Sequence, residues 1–322
     1  MSNEHRYLVT GALGCIGAWV VRHLVKAGSP TTVFDLANDP HRMKLIMSEE
    51  ELGQVRFISG DITDLQAVEA AFAESRATQV IHLAGLQVPF CKADPSLGAR
   101  VNVVGTVNIF EAAKQAGLQR VVYASSIAVY GPNEEYPQAP IAHDAPHRPR
   151  THYGVYKQAN EGTARIYWLD DGLGSVGLRP YVVYGPGRDQ GLTSSPTKAM
   201  LAAAVGQPYH IPYGGRYDLQ YADDVAQTFI QATRAPFTGA DVFNLRGSIV
   251  HTREIIRAIE AAEPASRGQV TFKDEALPFP EEADGSPIVK ALGPVPHTPL
   301  AEGVAATIAL FKEAVKAGRL TV

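Results

Sequence analysis

Tyr153 and Lys157 stand four residues apart in the stretch Tyr153-Gly154-Val155-Tyr156-Lys157, so on a helix a phenol and an ammonium share one face. A neighbouring positive charge stabilises a phenolate, and a tyrosine so placed can act as general acid and base near neutral pH. None of the other tyrosines has a lysine at that spacing. Upstream, Tyr123-Ala124-Ser125-Ser126 closes an apolar run and puts two hydroxyls at its end.

A second constellation is Gly11-Ala12-Leu13-Gly14-Cys15-Ile16-Gly17, glycines at every third position between an apolar run and an amphipathic stretch. Such a turn lets backbone N–H groups approach a pyrophosphate and aims a helix amino terminus at its charge. Gly172-Leu173-Gly174-Ser175-Val176-Gly177 fits a better-known glycine spacing, but it follows a helical stretch and precedes an extended one, so it reads as a turn. Asp35 ends the second apolar run. A carboxylate there accepts both ribose hydroxyls of an adenosine and repels a 2′-phosphate, which favours NAD over NADP. Asp61-Ile62, after the third run, either reaches the adenine edge or caps the next helix.

The elements that must position these groups alternate. Extended runs are expected at 6–10, 31–36, 55–59, 79–83, 120–124 and 175–179, each short and nearly all apolar, as in parallel strands covered on both faces. Helices are expected at 16–27, 65–74, 96–116 and 153–170. The fold class is therefore α/β, a Rossmann-type doubly wound parallel sheet with a smaller C-terminal lobe. Residues 1–180 form the dinucleotide-binding domain, with 221–245 returning to it as a helix (221–234) and a strand (242–245). The stretches 181–220 and 246–322 form the substrate-binding lobe, with helices at 196–205 and 300–316, extended pieces at 209–211 and 218–220, and a proline-rich irregular stretch at 277–299.

With these residues in view, the chain resembles the extended short-chain dehydrogenase/reductases, the NAD-dependent epimerase/dehydratases. The resemblance runs through GALGCIG at 11–17, DITD at 61–64, HLAG at 82–85, VNVVGTVNIFEAA at 101–113, ASSIAVYG at 124–131, YGVYK at 153–157, LRPYVVYGPG at 178–187 and YADDVA at 221–226. It implies Tyr153 as catalytic acid/base, Lys157 lowering its pKa and holding the nicotinamide ribose, and Ser126 bonding the reacting oxygen. Asn102 would support the lysine or the cofactor. Leu83, Ala84 and Gly85 would line the cofactor, and Tyr181 and Val182 would lie beside the nicotinamide. Gln87, Cys91 and Ser125 would face the substrate, Cys91 being equally readable as buried apolar filler. The family also implies a homodimer built on the 96–116 and 153–170 helices.

Departures narrow the chemistry. Related dehydratases carry an acidic residue after the catalytic hydroxyl, where this chain has Ile127-Ala128-Val129, so elimination is disfavoured. Nucleotide-sugar epimerases usually show Arg-Tyr-Phe-Asn where this chain reads Arg179-Pro180-Tyr181-Val182, and they carry a late diphosphate-binding arginine. No arginine lies between Arg267 and Val295. Arg216 is the preferred anion-binding candidate, ahead of Arg188 and of Arg179, which reads as structural. Tyr156 replaces the usual Ser or Thr of the tyrosine motif. The expectation is an NAD-dependent oxidation of a secondary alcohol on a sugar, sugar acid or similar polyol; the alternative is a sugar epimerase acting through a transient ketone.

Composition excludes several other classes. Twenty-nine Lys and Arg against 33 Asp and Glu give a net charge of −4, without basic blocks, so neither nucleic acid nor a membrane surface is an expected partner. The start 1–6 is polar and no apolar run reaches membrane-spanning length. Two cysteines, Cys15 and Cys91, cannot build a disulfide framework, and the expected compartment is the cytoplasm. His143, His147 and His152 lack metal-ligand spacing, so no metal is expected, and His82 reads as structural.

Overall fold

The computed structural model describes residues 5–321, so residues 1–4 of the polar start and residue 322 of the C-terminal lobe lie outside the described residues. Twelve strands are formed among the described residues. They are β1 (Tyr7–Thr10), β2 (Thr31–Asp35), β3 (Arg56–Ser59), β4 (Gln79–His82), β5 (Arg120–Ala124), β6 (Gly174–Arg179), β7 (Val182–Tyr184), β8 (Tyr209–Ile211), β9 (Arg216–Tyr221), β10 (Ala240–Asn244), β11 (Ser248–His251) and β12 (Val270–Phe272). Seven pair in the order β10-β6-β5-β4-β1-β2-β3, all parallel. Strand order reverses at β1, between β4 and β2, and doubly wound sheets bind ligands in the crevice beyond the carboxyl ends at that point.

Side chains alternate across the sheet and feed two cores. Val9, Val33, Ile81 and Val122 join one, and their neighbours Leu8, Phe34, Val80 and Val121 join the other. On the first face the helix Cys15–Lys26 packs against Ala222–Arg234; on the second Leu65–Ser75 packs against Gly105–Gln115, beside His152–Asp171. β3 departs from the expectation of full coverage. It is the sheet edge, and three of its four residues are exposed.

The expected 96–116 helix is three pieces: Pro95–Ala99, a π-helical turn at Arg100–Val104, and Gly105–Gln115. π turns are rare and cluster at functional sites. This one buries Asn102 completely.

Beyond β6, β11-β9-β7 form a three-stranded sheet and β12-β8 a two-stranded one. The helices Ser195–Ala204, Thr252–Ala262 and Leu300–Lys316 pack together beside them. The helix Thr252–Ala262, absent from the sequence expectation, buries Thr252, Ile255, Ile256 and Ile259 along one stripe. Within 277–299, expected to be irregular, Ser286–Leu292 is helical because Pro287 sits in its first turn, where a missing N–H costs nothing. Among the described residues no helix is long and apolar enough to cross a membrane.

Candidate active site at the carboxyl ends of the parallel strands

A cavity of about 640 Å³ opens over the switch point and is walled by the ends of β1, β2, β4 and β5, a size that suits a small-molecule or cofactor site. Gly11, Gly14, Cys15, Ile16 and Gly17 form one wall. Gly11 has φ +65°, and a Cβ on it would lie 2.4 Å from the Ala84 nitrogen, so only glycine lets β1 turn this closely past the end of β4. The following helix starts at Gly14 without a side-chain cap, leaving its first N–H groups and its positive end directed at the cavity. This cradle fits a dinucleotide pyrophosphate. Burial pushes the Cys15 thiol up to about 12, so it is a neutral wall group.

Asp35 and Asp61 line the same cavity with Ile62. One Asp35 oxygen accepts from the Leu13 N–H at 3.1 Å and the other from Ala37 at 3.4 Å, which ties the carboxylate to the glycine turn. Asp61 accepts from Thr63 N–H at 2.8 Å. The cap of the following helix is Asp64, not Asp61.

Leu83, Ala84, Gly85 and Gln87 continue the wall toward Ser125, Ser126, Tyr153 and Lys157. Thr151 caps the helix that carries the tyrosine, its hydroxyl accepting from Gly154 N–H at 3.0 Å. A Cβ at Gly154 would fall 2.2 Å from the Ala128 carbonyl, so glycine lets the helix press against the turn after Ser126. That contact sets Tyr153 and Ser126 on the same stretch of cavity wall. One turn on, Lys157 is buried, donates to the Ala124 carbonyl at 2.8 Å, and lies over the Tyr153 ring at 5.6 Å from its centroid.

Burial raises the Tyr153 phenol above its ordinary value, while the Ser126 hydroxyl and the Arg188 guanidinium pull it down. The strongest named pulls are thus Ser126 and Arg188, where the sequence pointed to Lys157. Burial lowers Lys157 to about 8, against upward pulls from Cys91 and Glu161.

Several expected residues lie elsewhere. Val182 faces the core, and its chain neighbours Tyr181 and Val183 line the cavity, as the alternation of an extended chain requires. Arg216 is exposed, begins β9 in register with His251, and is not part of the wall; Arg42 and Arg188 are the arginines that line it. Arg188 donates to Gln87 at 3.3 Å and to Thr193 at 3.1 Å. Cys91 is fully buried, donates to the Leu86 carbonyl at 3.2 Å, and occupies the filler position. Asn102 also sits behind the wall. Its amide donates to the carbonyls of Leu86 at 3.1 Å and Gly98 at 3.0 Å, holding the 83–87 loop in place.

Ser125 donates its hydroxyl proton to Glu161, so it offers the cavity only lone pairs. Glu161 carried no expectation, although its place four residues after Lys157 was a usable signal. Phe279 and Thr193 were likewise unforeseen as wall residues. Tyr156 donates to the Pro95 carbonyl at 2.8 Å, tying the tyrosine helix to the start of the π-containing one. His143 pairs with Asp241, His147 with Glu161, and His152 stacks on Tyr156.

The comparisons agree with this geometry. The chain is 32% identical over 316 residues to a UDP-glucose 4-epimerase of Mycolicibacterium smegmatis, covering 95% of this chain and 98% of that one. It is 35% identical over 184 residues to UDP-glucuronate 4-epimerase 2 of Arabidopsis thaliana, covering 56% of this chain and 42% of the relative. The crystal structure of the Thermus thermophilus UDP-glucose 4-epimerase in complex with NAD superposes with a TM-score of 0.81 at 28% identity, covering 96% of this chain and 99% of that one. Residues 7–245 match the NAD dependent epimerase/dehydratase family. The chain belongs to that family, within the extended short-chain dehydrogenase/reductases, and is an NAD-dependent enzyme.

Proposed function

We propose that the chain epimerises a secondary alcohol of a nucleotide-linked sugar, oxidising it to a ketone and reducing it on the opposite face. The observation that carries this reading is the single wall shared by Ser126, Tyr153 and Lys157, continuous with the glycine cradle. Two of the proteins similar over most of the chain are UDP-glucose 4-epimerases by name, which favours epimerisation over release of a ketone.

Hydride transfer is the chemistry that NAD supplies when bound. Gly11, Gly14, Cys15, Ile16 and Gly17 would hold its pyrophosphate, Asp35 its adenosine ribose, and Asp61 and Ile62 its adenine edge. Leu83, Ala84, Gly85 and Tyr181 would flank the remainder. Tyr153 takes the proton of the substrate hydroxyl and later returns it. Ser126 holds the same oxygen, and the Lys157 ammonium supplies positive charge beside the phenol. Ser125 accepts from a second sugar hydroxyl. Arg188 with Gln87 takes the anion-binding role expected of Arg216.

A second reading is oxidation of a small sugar acid without a nucleotide. It is favoured by one observation: among the described residues, the segment 194–321 contributes only Phe279 to the cavity wall, so that segment adds no cation to Arg42 and Arg188. Both readings place the protein as a homodimer in the cytoplasm, with 181–220 and 246–322 as the substrate lobe. The test is to incubate the protein and NAD with UDP-glucose, UDP-glucuronate and free uronates, following C4 configuration by NMR and reduced nicotinamide by absorbance. C4 inversion without accumulating NADH supports epimerisation. Stoichiometric NADH from a free uronate replaces that reading with the second, and silence from the whole panel refutes both.

A further inference from the structure

Behind the cavity wall lies a buried polar cluster that the proposed chemistry does not use. Glu161, on the tyrosine helix one turn beyond Lys157, is buried and accepts three hydrogen bonds, from the Ser125 hydroxyl, Arg179 Nε at 2.9 Å and Arg179 Nη2 at 2.7 Å; His147 Nε2 lies 3.2 Å from its carboxylate and accepts from Arg179 Nη2 at 3.1 Å. Arg179 ends β6 and also donates to the Tyr130 hydroxyl at 2.6 Å and the Asn244 carboxamide oxygen at 3.2 Å. The cluster therefore joins the helix to the ends of β5, β6 and β10.

We propose that Glu161 is the positioning residue of this site: it locks the tyrosine helix to the strand ends and sets a buried carboxylate one turn from Lys157. The inference rests on the assignment of Tyr153 and Lys157 given above. The titratable groups facing Lys157 are Tyr153 and Glu161 from its own helix, Cys91 from the helix Val88–Ala93, and His82 from β4. Beyond Glu161 stand Arg179, His147 and Tyr130, and Arg188 faces Tyr153. Burial raises the Cys91 thiol and lowers His82 to about 3, so both are neutral at pH 7. Glu161 is left as the anion in this set. Its loss disfavours the ammonium, and the lysine then deprotonates at lower pH.

The test is a lysine-selective NMR titration of the protein without substrate, paired with the pH profile of kcat/KM. In Glu161→Gln the Lys157 midpoint should fall by about one pH unit, carrying the alkaline limb of activity down with it. Glu161→Asp should restore most of the shift. Because Glu161→Gln leaves Arg179 buried without its partner, the double variant Glu161→Gln/Arg179→Met serves if the single one fails to fold, with a smaller downward shift expected because the Arg179 charge is lost as well. An unchanged Lys157 midpoint in either folded variant overturns the proposal. This titration involves no substrate, so its failure is separable from failure of the epimerase reading.

Discussion

Arg179 and Glu161 meet in a two-pronged ion pair with both side chains at most 6% exposed, where the tyrosine helix crosses the ends of β5 and β6. Removing one partner leaves a buried charge, whereas removing both leaves none. Arg179→Met should therefore cost about 3–5 kcal/mol in urea unfolding. Arg179→Met/Glu161→Gln should be the more stable of the two proteins. A double variant less stable than Arg179→Met would show that the pair is not coupled.

Lys157 sets stability against activity. Burial lowers its folded-state value to about 8 from 10.5, so below pH 10.5 the unfolded chain binds the proton more readily, and the folded state carries a cost that is full below about pH 8. Lys157→Met should stabilise the protein by about 3 kcal/mol at pH 7 while abolishing turnover. The gain should shrink as pH rises toward 10. Equal stabilisation at both pH values would contradict the burial argument.

His82 predicts acid lability. Thr106 donates its hydroxyl proton to the Asn102 carbonyl at 2.7 Å, so it can only accept from His82 Nε2, and Nδ1 in turn accepts from Thr10 at 2.7 Å. The ring is a neutral Nε2–H tautomer, and burial lowers its value to about 3 from 6.5. A depressed folded value means stability present above pH 6.5 and lost as pH falls toward 3, by about 1.4 kcal/mol per unit. Chemical denaturation of wild type and His82→Gln across pH 4–7 checks this. The variant should lack that part of the slope.

Val155, Ile166 and Leu169 are 47, 52 and 60% exposed along one side of the tyrosine helix, beside Leu97 at 39% and Val104 at 44% on the adjoining elements. A monomer seldom leaves such a stripe open to water. Sedimentation should show a dimer for the wild type and a monomer for Ile166→Asp/Leu169→Asp. A monomeric wild type would refute the assembly.

How far the molecule was legible in its sequence follows from what each signal encodes. The glycine turn, Asp35 and the Tyr153/Lys157 spacing are local patterns, and local patterns report which residues share a turn or a helix face. The six N-terminal strands were legible for the same reason, as short apolar runs. Arg216 was misread because its role depended on which side of β9 it would fall, a matter of register that only pairing with β11 decides. Val182 was misread by a single step of strand alternation. The π turn that buries Asn102 leaves no residue-type signature, since its extra residue lies within a stretch of ordinary helix formers. Glu161 escaped notice because its partners, Ser125, His147 and Arg179, come from three separate segments.

In the proposed NAD-dependent inversion, Tyr153 moves the substrate proton. The most direct test is C4 inversion of UDP-glucose by the wild type and by Tyr153→Phe, each with NAD binding measured independently by calorimetry. Tyr153→Phe should bind NAD as the wild type does and lose about 10²–10⁴-fold in inversion rate. Inversion at the wild-type rate by a Tyr153→Phe protein that binds NAD normally would contradict that role.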